Sequence, residues 1–206
     1  MRDFRLPRIY PITDSEISGL SHPDQVRLLA DAGATLVQLR EKKLPALDFY
    51  NQAKSVSASG LTLIINDRVD VALAVNAAGV HLGQDDLPPD EARKLLGDKA
   101  IIGYSTHNVA QARAAAALRV DYIAIGPIFQ TATKAKPDPE VGLDGLRAVR
   151  DAVGEVPLVA IGGITPANAA AVIQAGADSV ALISALLAGG PTAIPAVYRT
   201  LSDNLS

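Results

Sequence analysis

Asp67 and Asp86 carry the strongest chemical signal in the chain. Each ends a short aliphatic run and each stands near an amide, Asn66 in one case and Gln84 in the other. Two carboxylates at matched positions with amide oxygens beside them form an oxygen-rich set. Hard cations prefer such a set, and Mg²⁺ commonly takes one or two carboxylates and fills its shell with water and phosphate oxygens. The plainer role for Asp67 is to pair with Arg68 or to cap the helix that follows. Asp85 is left open as a ligand, because neighbours in an extended segment point opposite ways. Arg40 and Lys42 are two residues apart and share a face if that strand continues, and Lys134 lies further along. Cations beside a carboxylate-bound metal suit a strongly anionic ligand such as a diphosphate. Without a ligand the same residues make a solvated salt-bridge network through Glu41.

A second anion site is expected elsewhere. Ile161-Gly162-Gly163-Ile164 precedes Thr165-Pro166, and Ser184 follows a later aliphatic run. Glycine lets backbone N–H groups approach a phosphate closely, although a Gly-Gly pair also serves as a tight turn. About fifteen residues separate Pro127 from the next helical stretch, a length usual for functional loops. A lid over 129–141 carrying Lys134 is the functional reading. His22 reads as a helix-start residue, His81 as a hydrogen-bonded core residue, and His107 as within reach of the site. No Ser-His-Asp order can be assembled.

These residues need a scaffold that brings strand ends together. Eight aliphatic runs recur, at Arg8–Asp14, Leu36–Glu41, Leu61–Asp67, Gly79–Gln84, Ala100–Thr106, Tyr122–Pro127, Pro157–Gly163 and Ser179–Ala185. They are nearly continuous rather than alternating, as in parallel strands buried on both faces. Between them lie helical stretches at about His22–Ala32, Pro45–Ser59, Arg68–Ala77, Pro88–Leu96, Asn108–Leu118, Gly142–Val153, Pro166–Ala175 and Pro191–Leu201. Thr165-Pro166 is the clearest capped start. Strands alternating with helices mean βαβ units. The expected class is α/β, a single-domain (β/α)8 TIM barrel over residues 1–206, with its active site at the carboxyl ends of the strands. An open doubly wound sheet is the alternative, but a dinucleotide-binding form needs G-x-G-x-x-G after the first strand, which here ends Ile12-Thr13-Asp14.

Composition narrows the function classes. The chain has 206 residues, a net charge of −3 and no cysteine. Thiolate metal sites, cysteine nucleophiles and disulfides are excluded. Nothing points to nucleic acid or membrane as a partner. Charges and a proline interrupt the N-terminal residues, and no apolar run approaches the ~18 residues that span a bilayer, so the expected location is cytoplasmic. A homo-oligomer is compatible with the sequence.

Gln38-Leu39-Arg40-Glu41-Lys42, Asn66-Asp67, Gly83-Gln84-Asp85-Asp86, Gly103-Tyr104-Ser105-Thr106-His107-Asn108, Gly126-Pro127-Ile128-Phe129 leading to Thr131-Ala132-Thr133-Lys134, Ile161-Gly162-Gly163-Ile164 and Ile183-Ser184 together resemble the thiamine phosphate synthase family. The resemblance runs from about Tyr10 to Ala185. It implies coupling of hydroxymethylpyrimidine diphosphate to a thiazole phosphate by dissociative substitution. It also implies one Mg²⁺ per subunit on Asp67 and Asp86. By the same resemblance, Gln38, Leu39, Arg40, Glu41, Lys42, Asn66, Ser105 and Lys134 bind the pyrimidine diphosphate, with Arg40, Lys42, Ser105 and Lys134 catalytic. Thr131, Ala132, Thr133, Gly163, Ile183 and Ser184 hold the thiazole phosphate. Gln130, where proline is common in the family, is a small departure that bears on lid shape. A sister family of thiazole tautomerases shares the barrel and uses a histidine at the position of His107, but lacks the full metal-and-diphosphate set. A non-catalytic thiazole-phosphate binder is the third class. Turnover with and without Mg²⁺ separates the three.

Overall fold

The computed structural model describes residues 4–131 and 138–205. The aliphatic runs form β1 (Ile9–Thr13), β2 (Leu36–Leu39), β3 (Thr62–Asn66), β4 (Gly79–Leu82), β5 (Ile101–Thr106), β6 (Tyr122–Ile125), β7 (Leu158–Ile161) and β8 (Ser179–Leu182). Every neighbouring pair is parallel, and β8 pairs with β1 through Ile9↔Val180 and Pro11↔Leu182, closing the barrel. Closure leaves no unpaired edge, so strands of four to six residues suffice.

Alternation along the strands sorts their side chains. Tyr10, Ile12, Leu36, Ile64, Ile101, Tyr122, Ala124, Val159 and Ala181 cluster inside the barrel. Their neighbours, among them Val37, Leu39, Leu63, Ile65, Val80 and Leu82, pack outward against the helices. Two inward positions are glycine for steric reasons. A Cβ on Gly79 would lie 1.9 Å from the Ile101 carbonyl oxygen, and one on Gly103 would lie 2.0 Å from Cζ of Tyr122. Gly103 thus makes room for the Tyr122 ring.

The outer layer comprises α1 (Ser15–Ser18), α2 (His22–Asp31), α3 (Ala46–Val56), α4 (Val69–Ala74), α5 (Pro89–Leu96), α6 (Val109–Ala116), α7 (Gly142–Val153), α8 (Ala169–Gln174), α9 (Ser184–Leu187) and α10 (Ala193–Leu205). The start expected at Thr165-Pro166 is displaced, since α8 begins at Ala169. The Asn168 side chain accepts from the Thr165 amide at 2.8 Å and donates to the Gly163 carbonyl at 3.1 Å, which holds residues 163–168 as a turn. The single-turn helices α1 and α9 fall within segments read as strand end and loop. No helix among the described residues is long and apolar enough to cross a membrane.

One device secures the rim opposite the strand carboxyl ends, and it occurs twice. Arg93 of α5 donates to Asp121 at 2.7 Å and to the Arg119 carbonyl at 2.9 Å, while Asp121 accepts the Ile102 amide at 2.8 Å. Arg150 of α7 donates to Asp178 at 2.5 Å and to the Gly176 carbonyl at 2.8 Å, while Asp178 accepts the Leu158 amide at 2.8 Å. Both pairs are 28 residues apart, and each aspartate immediately precedes a strand. The first pair is the more deeply buried, with side-chain exposures of 3% and 17%, against 23% and 50% for the second. Removing one partner of a buried pair leaves a charge with no compensation. Arg93→Ala is therefore expected to cost about 3–5 kcal/mol in urea unfolding, and Arg150→Ala distinctly less. Equal losses would show that burial of the first pair does not set its worth.

Candidate active site

The strand carboxyl ends enclose a cavity of about 590 Å³. Its floor is the barrel interior. Gln38, Tyr10, Tyr122, His81 and Ser105 line it and bond in sequence. Gln38 Nε2 donates to the Tyr10 hydroxyl at 3.1 Å, the two tyrosine oxygens are 2.6 Å apart, Tyr122 lies 3.0 Å from His81 Nδ1, and His81 Nε2 lies 2.8 Å from Ser105 Oγ. The Tyr122 and His81 rings stack at 5.6 Å. Burial pushes the Tyr10 and Tyr122 hydroxyls upward in pKa and pulls His81 down to about 4, although Asp86 opposes the shift at His81. At neutral pH the floor is uncharged. The tyrosines have no motif signal and appear only once the alternation is worked out in three dimensions. His81 is hydrogen-bonded, as expected of a core residue, and also faces the cavity.

One wall carries the charge. Asp67, Asp86, Asn66, Arg40 and Lys42 line the cavity together, with Asp85 and Gln84 beside them. Asp67 has φ +61, a left-handed conformation uncommon for a non-glycine residue, and its amide donates to the His81 carbonyl at 2.8 Å. Lys42 Nζ lies 2.5 Å from Asp67 Oδ2. Asp86 accepts the Gly83 amide at 2.7 Å. Burial raises the Asp86 pKa and the neighbouring Asp67 carboxylate raises it further, while the Gly83 amide and, to a smaller extent, Lys42 oppose them. Asp67 therefore pairs across the site with Lys42 rather than with Arg68, whose guanidinium goes to Asp70. Among the described residues no three His, Cys, Asp or Glu gather as metal ligands. Two converging carboxylates remain, a donor set that leaves most of a hard cation's shell to water and phosphate oxygens.

The loop after β2 divides its residues between two tasks. Arg40 and Lys42 face the cavity; Leu39 and Glu41, expected at the substrate, do not line it. Leu39 points outward and is fully buried against the helices, as strand alternation requires. Glu41 turns beneath the loop, accepting from the amides of Lys42, Lys43 and Leu44 at 2.8, 2.7 and 3.1 Å, from Ser15 Oγ at 2.5 Å and from His22 Nε2 at 3.2 Å. Burial alone would raise its pKa, but Ser15 and the three amides together bring it down to about 2. Thr13 Oγ1, 2.7 Å from His22 Nδ1, completes a Thr13-His22-Glu41 row behind the loop, outside the cavity, so it is structural. Asp14 has no motif signal, yet it has two tasks at the rim. It ion-pairs with Arg40 and caps α1 by accepting from the Glu16 and Ile17 amides at 3.0 and 3.1 Å.

Across the mouth lie Gly162, Gly163, Ile183, Ser184 and Thr131. Gly163 has φ +64, and a Cβ there would meet the Gln130 carbonyl oxygen at 2.6 Å and Phe129 Cβ at 2.7 Å. Glycine is thus required first by the packing of the β6 loop on the β7 loop. Both ends of the β6 loop are anchored. Ile128 and Phe129 donate to Ile161 and Gly162 at 2.9 and 3.0 Å, and Val141 and Gly142 donate to Pro127 and Ile128 at 2.8 and 3.0 Å. Ala132, Thr133 and Lys134 lie outside the described residues. His107 also lines the cavity. Its Nδ1 donates to the Gly126 carbonyl at 2.6 Å, and its Nε2 lies 3.6 Å from Asp138.

A family model described as thiamine monophosphate synthase matches residues 9–186. A thiamine-phosphate synthase of Chloroflexus aurantiacus is 47% identical over 186 residues, covering 88% of this chain and 85% of its own. One from Methanoculleus marisnigri is 45% identical, covering 96% and 95%. The structure of a thiamine phosphate pyrophosphorylase from Pyrococcus furiosus superposes with a TM-score of 0.85 at 33% identity, covering 96% and 94%. A native KDPGal structure, at a TM-score of 0.75 and 15% identity, shares the fold alone. The matched span takes in every strand of the barrel and both walls of its mouth, and the chain belongs to the thiamine monophosphate synthase family.

Proposed function

We propose that this chain joins hydroxymethylpyrimidine diphosphate to a thiazole phosphate, forming thiamine phosphate and releasing diphosphate, with Mg²⁺ held by Asp67 and Asp86. The observation that carries the reading is the facing of a charged wall (Asp67, Asp86, Arg40, Lys42) and a glycine-bearing wall (Gly162, Gly163, Ile183, Ser184) across one cavity. Two anionic substrates fit such a mouth, one at each wall.

The reaction breaks the bond between the pyrimidine methylene carbon and the diphosphate oxygen, and the electron pair leaves with the diphosphate. The thiazole nitrogen then donates its lone pair to the methylene carbon. Mg²⁺ at the two carboxylates supplies charge neutralisation for the departing diphosphate. Arg40 and Lys42 add fixed positive charge on the same side, and Lys134 is proposed to join them. Gln38, Asn66 and Ser105 hold the pyrimidine and its diphosphate. Thr131, Ala132, Thr133, Gly163, Ile183 and Ser184 hold the thiazole phosphate. The uncharged aromatic floor offers no strong nucleophile to intercept the pyrimidine, which suits a substitution passing through a cation. The same reading takes residues 1–206 as one domain acting in the cytoplasm.

The tautomerase alternative needs one phosphate site and no metal, and it gives the charged wall no task. Supplying both substrates with and without Mg²⁺ tests the choice. Thiamine phosphate and diphosphate are expected in equal amounts and only with the cation. Metal-independent isomerisation of the thiazole phosphate alone would instead establish the tautomerase.

Asp67→Asn and Asp86→Asn are each expected to lower kcat roughly a hundredfold with the barrel intact by circular dichroism. Wild-type turnover in both would remove them from the cation site. Glu41 acts differently, by holding the loop that presents Arg40 and Lys42. Its folded pKa is below the unfolded one, so its contribution to stability is complete above about pH 4.5 and is lost as pH falls toward about 2. Glu41→Gln should flatten the acid limb of the stability profile and raise KM for the diphosphate substrate. An unchanged acid limb would contradict this role.

A further inference from the structure

The five residues of the cavity floor form a bonded row with a direction. Gln38, at 2% exposure, and Ser105 are its ends, and both line the cavity. Tyr10, Tyr122 and His81 lie between them, at 1%, 0% and 8% exposure. Each hydroxyl carries one proton, and a neutral imidazole carries one. Buried donors must find acceptors. As Gln38 Nε2 donates to Tyr10, the buried Tyr10 proton is satisfied 2.6 Å away on the Tyr122 oxygen. The Tyr122 proton then goes to His81 Nδ1, 3.0 Å away, and His81 must carry its own proton on Nε2, where it donates to Ser105 Oγ at 2.8 Å. That order gives the Tyr10, Tyr122 and His81 protons an acceptor each. The Ser105 hydroxyl, already an acceptor, keeps its proton for the cavity.

We propose that Gln38, Tyr10, Tyr122 and His81 act as one directional relay that fixes His81 as its Nε2–H tautomer and makes Ser105 a hydrogen-bond donor to the bound substrate. Tyr122 and His81 are then positioning residues, acting on the substrate through Ser105. The donor and acceptor faces that Gln38 and Ser105 offer to a ligand are set together. An atom with a lone pair is accepted at Ser105, and a donor there is rejected because two protons would face each other. Gly103 belongs to the device by default, because any side chain there would occupy the place of the Tyr122 ring. The identity of the ligand rests on the reading of Ser105 as a contact of the pyrimidine diphosphate, whereas the tautomer belongs to the free protein.

Imidazole ¹⁵N–¹H correlation spectra of the free ¹⁵N-labelled protein near neutral pH, with His81 assigned by its loss in His81→Gln, read the relay directly. The expected result is a proton on Nε2 and a bare Nδ1. A proton on Nδ1, or on both nitrogens, overturns the proposal. Gln38→Glu tests the coupling at a distance. Once the introduced carboxylate is shown by its ¹³C resonance to be ionised, it can only accept, so the row should reverse and the His81 proton should move to Nδ1. An unchanged tautomer overturns the relay. In turnover, Tyr122→Phe should raise KM for the pyrimidine diphosphate about tenfold, with little change in kcat or in KM for the thiazole phosphate. Combined with Ser105→Ala it should add nothing further, whereas additive losses would show that Tyr122 does not act through Ser105. If the wild-type protein turned over neither substrate, the proposed reaction would fail while the tautomer result stood.

Discussion

Asp67 and Asp86 are two carboxylates that the barrel holds side by side against their mutual repulsion. Their strands, β3 and β4, are locked in parallel register by Asn66↔His81 and the pairs before it. The left-handed backbone fixes Asp67 just past β3, and the amide bond from Gly83 fixes Asp86 in the turn after β4. Burial and Asp67 together raise the Asp86 pKa, and the Gly83 amide and Lys42 offset part of the effect. A site under that electrostatic load is poised for a cation, and a cation so held has most of its shell left for an anionic ligand. The rest of the mouth follows from this constraint. Lys42 must reach Asp67, so its loop must be held, and Glu41 holds it from beneath.

Strand alternation is the other organising fact. It sends Gln38, His81 and Ser105 to the floor of the cavity and Leu39 to the helices, and thereby separates residues that stand side by side in one motif. The same motif therefore mixes substrate-facing residues with supports. Arg40 and Lys42 face the cavity, while Glu41 binds the amides of the three residues that follow it. A charged residue between two charged neighbours reads in sequence like a third ligand contact, and packing makes it a staple.

Much of the fold was legible because parallel strands buried on both faces leave continuous aliphatic runs. All eight runs are strands. Most extend too far at their ends, because residues just past the strand, such as Arg40, Asp67, Gln84 and Ser184, still line the mouth although the ladder has stopped. Helices of a single turn, Ser15–Ser18 and Ser184–Leu187, are too short to show a period. Thr165-Pro166 looked like a helix start because Pro suits such a position, but Asn168 holds that stretch as a turn. The charged wall was legible from residue type and place. The floor was not, because Tyr10 and Tyr122 meet across 112 residues and nothing local marks either one. The Arg93–Asp121 and Arg150–Asp178 clamps escaped for the same reason, although their common spacing is visible once one is known.

In the proposed reaction the two carboxylates and the diphosphate hold one cation between them. Calorimetric titration of Mg²⁺ into the protein, with and without saturating inorganic diphosphate, measures this directly. Two carboxylates alone should bind Mg²⁺ weakly. Diphosphate should tighten that binding by at least about tenfold, and by thermodynamic reciprocity Mg²⁺ should tighten diphosphate binding by the same factor. Mg²⁺ binding of equal strength in the presence and absence of diphosphate would contradict the shared site.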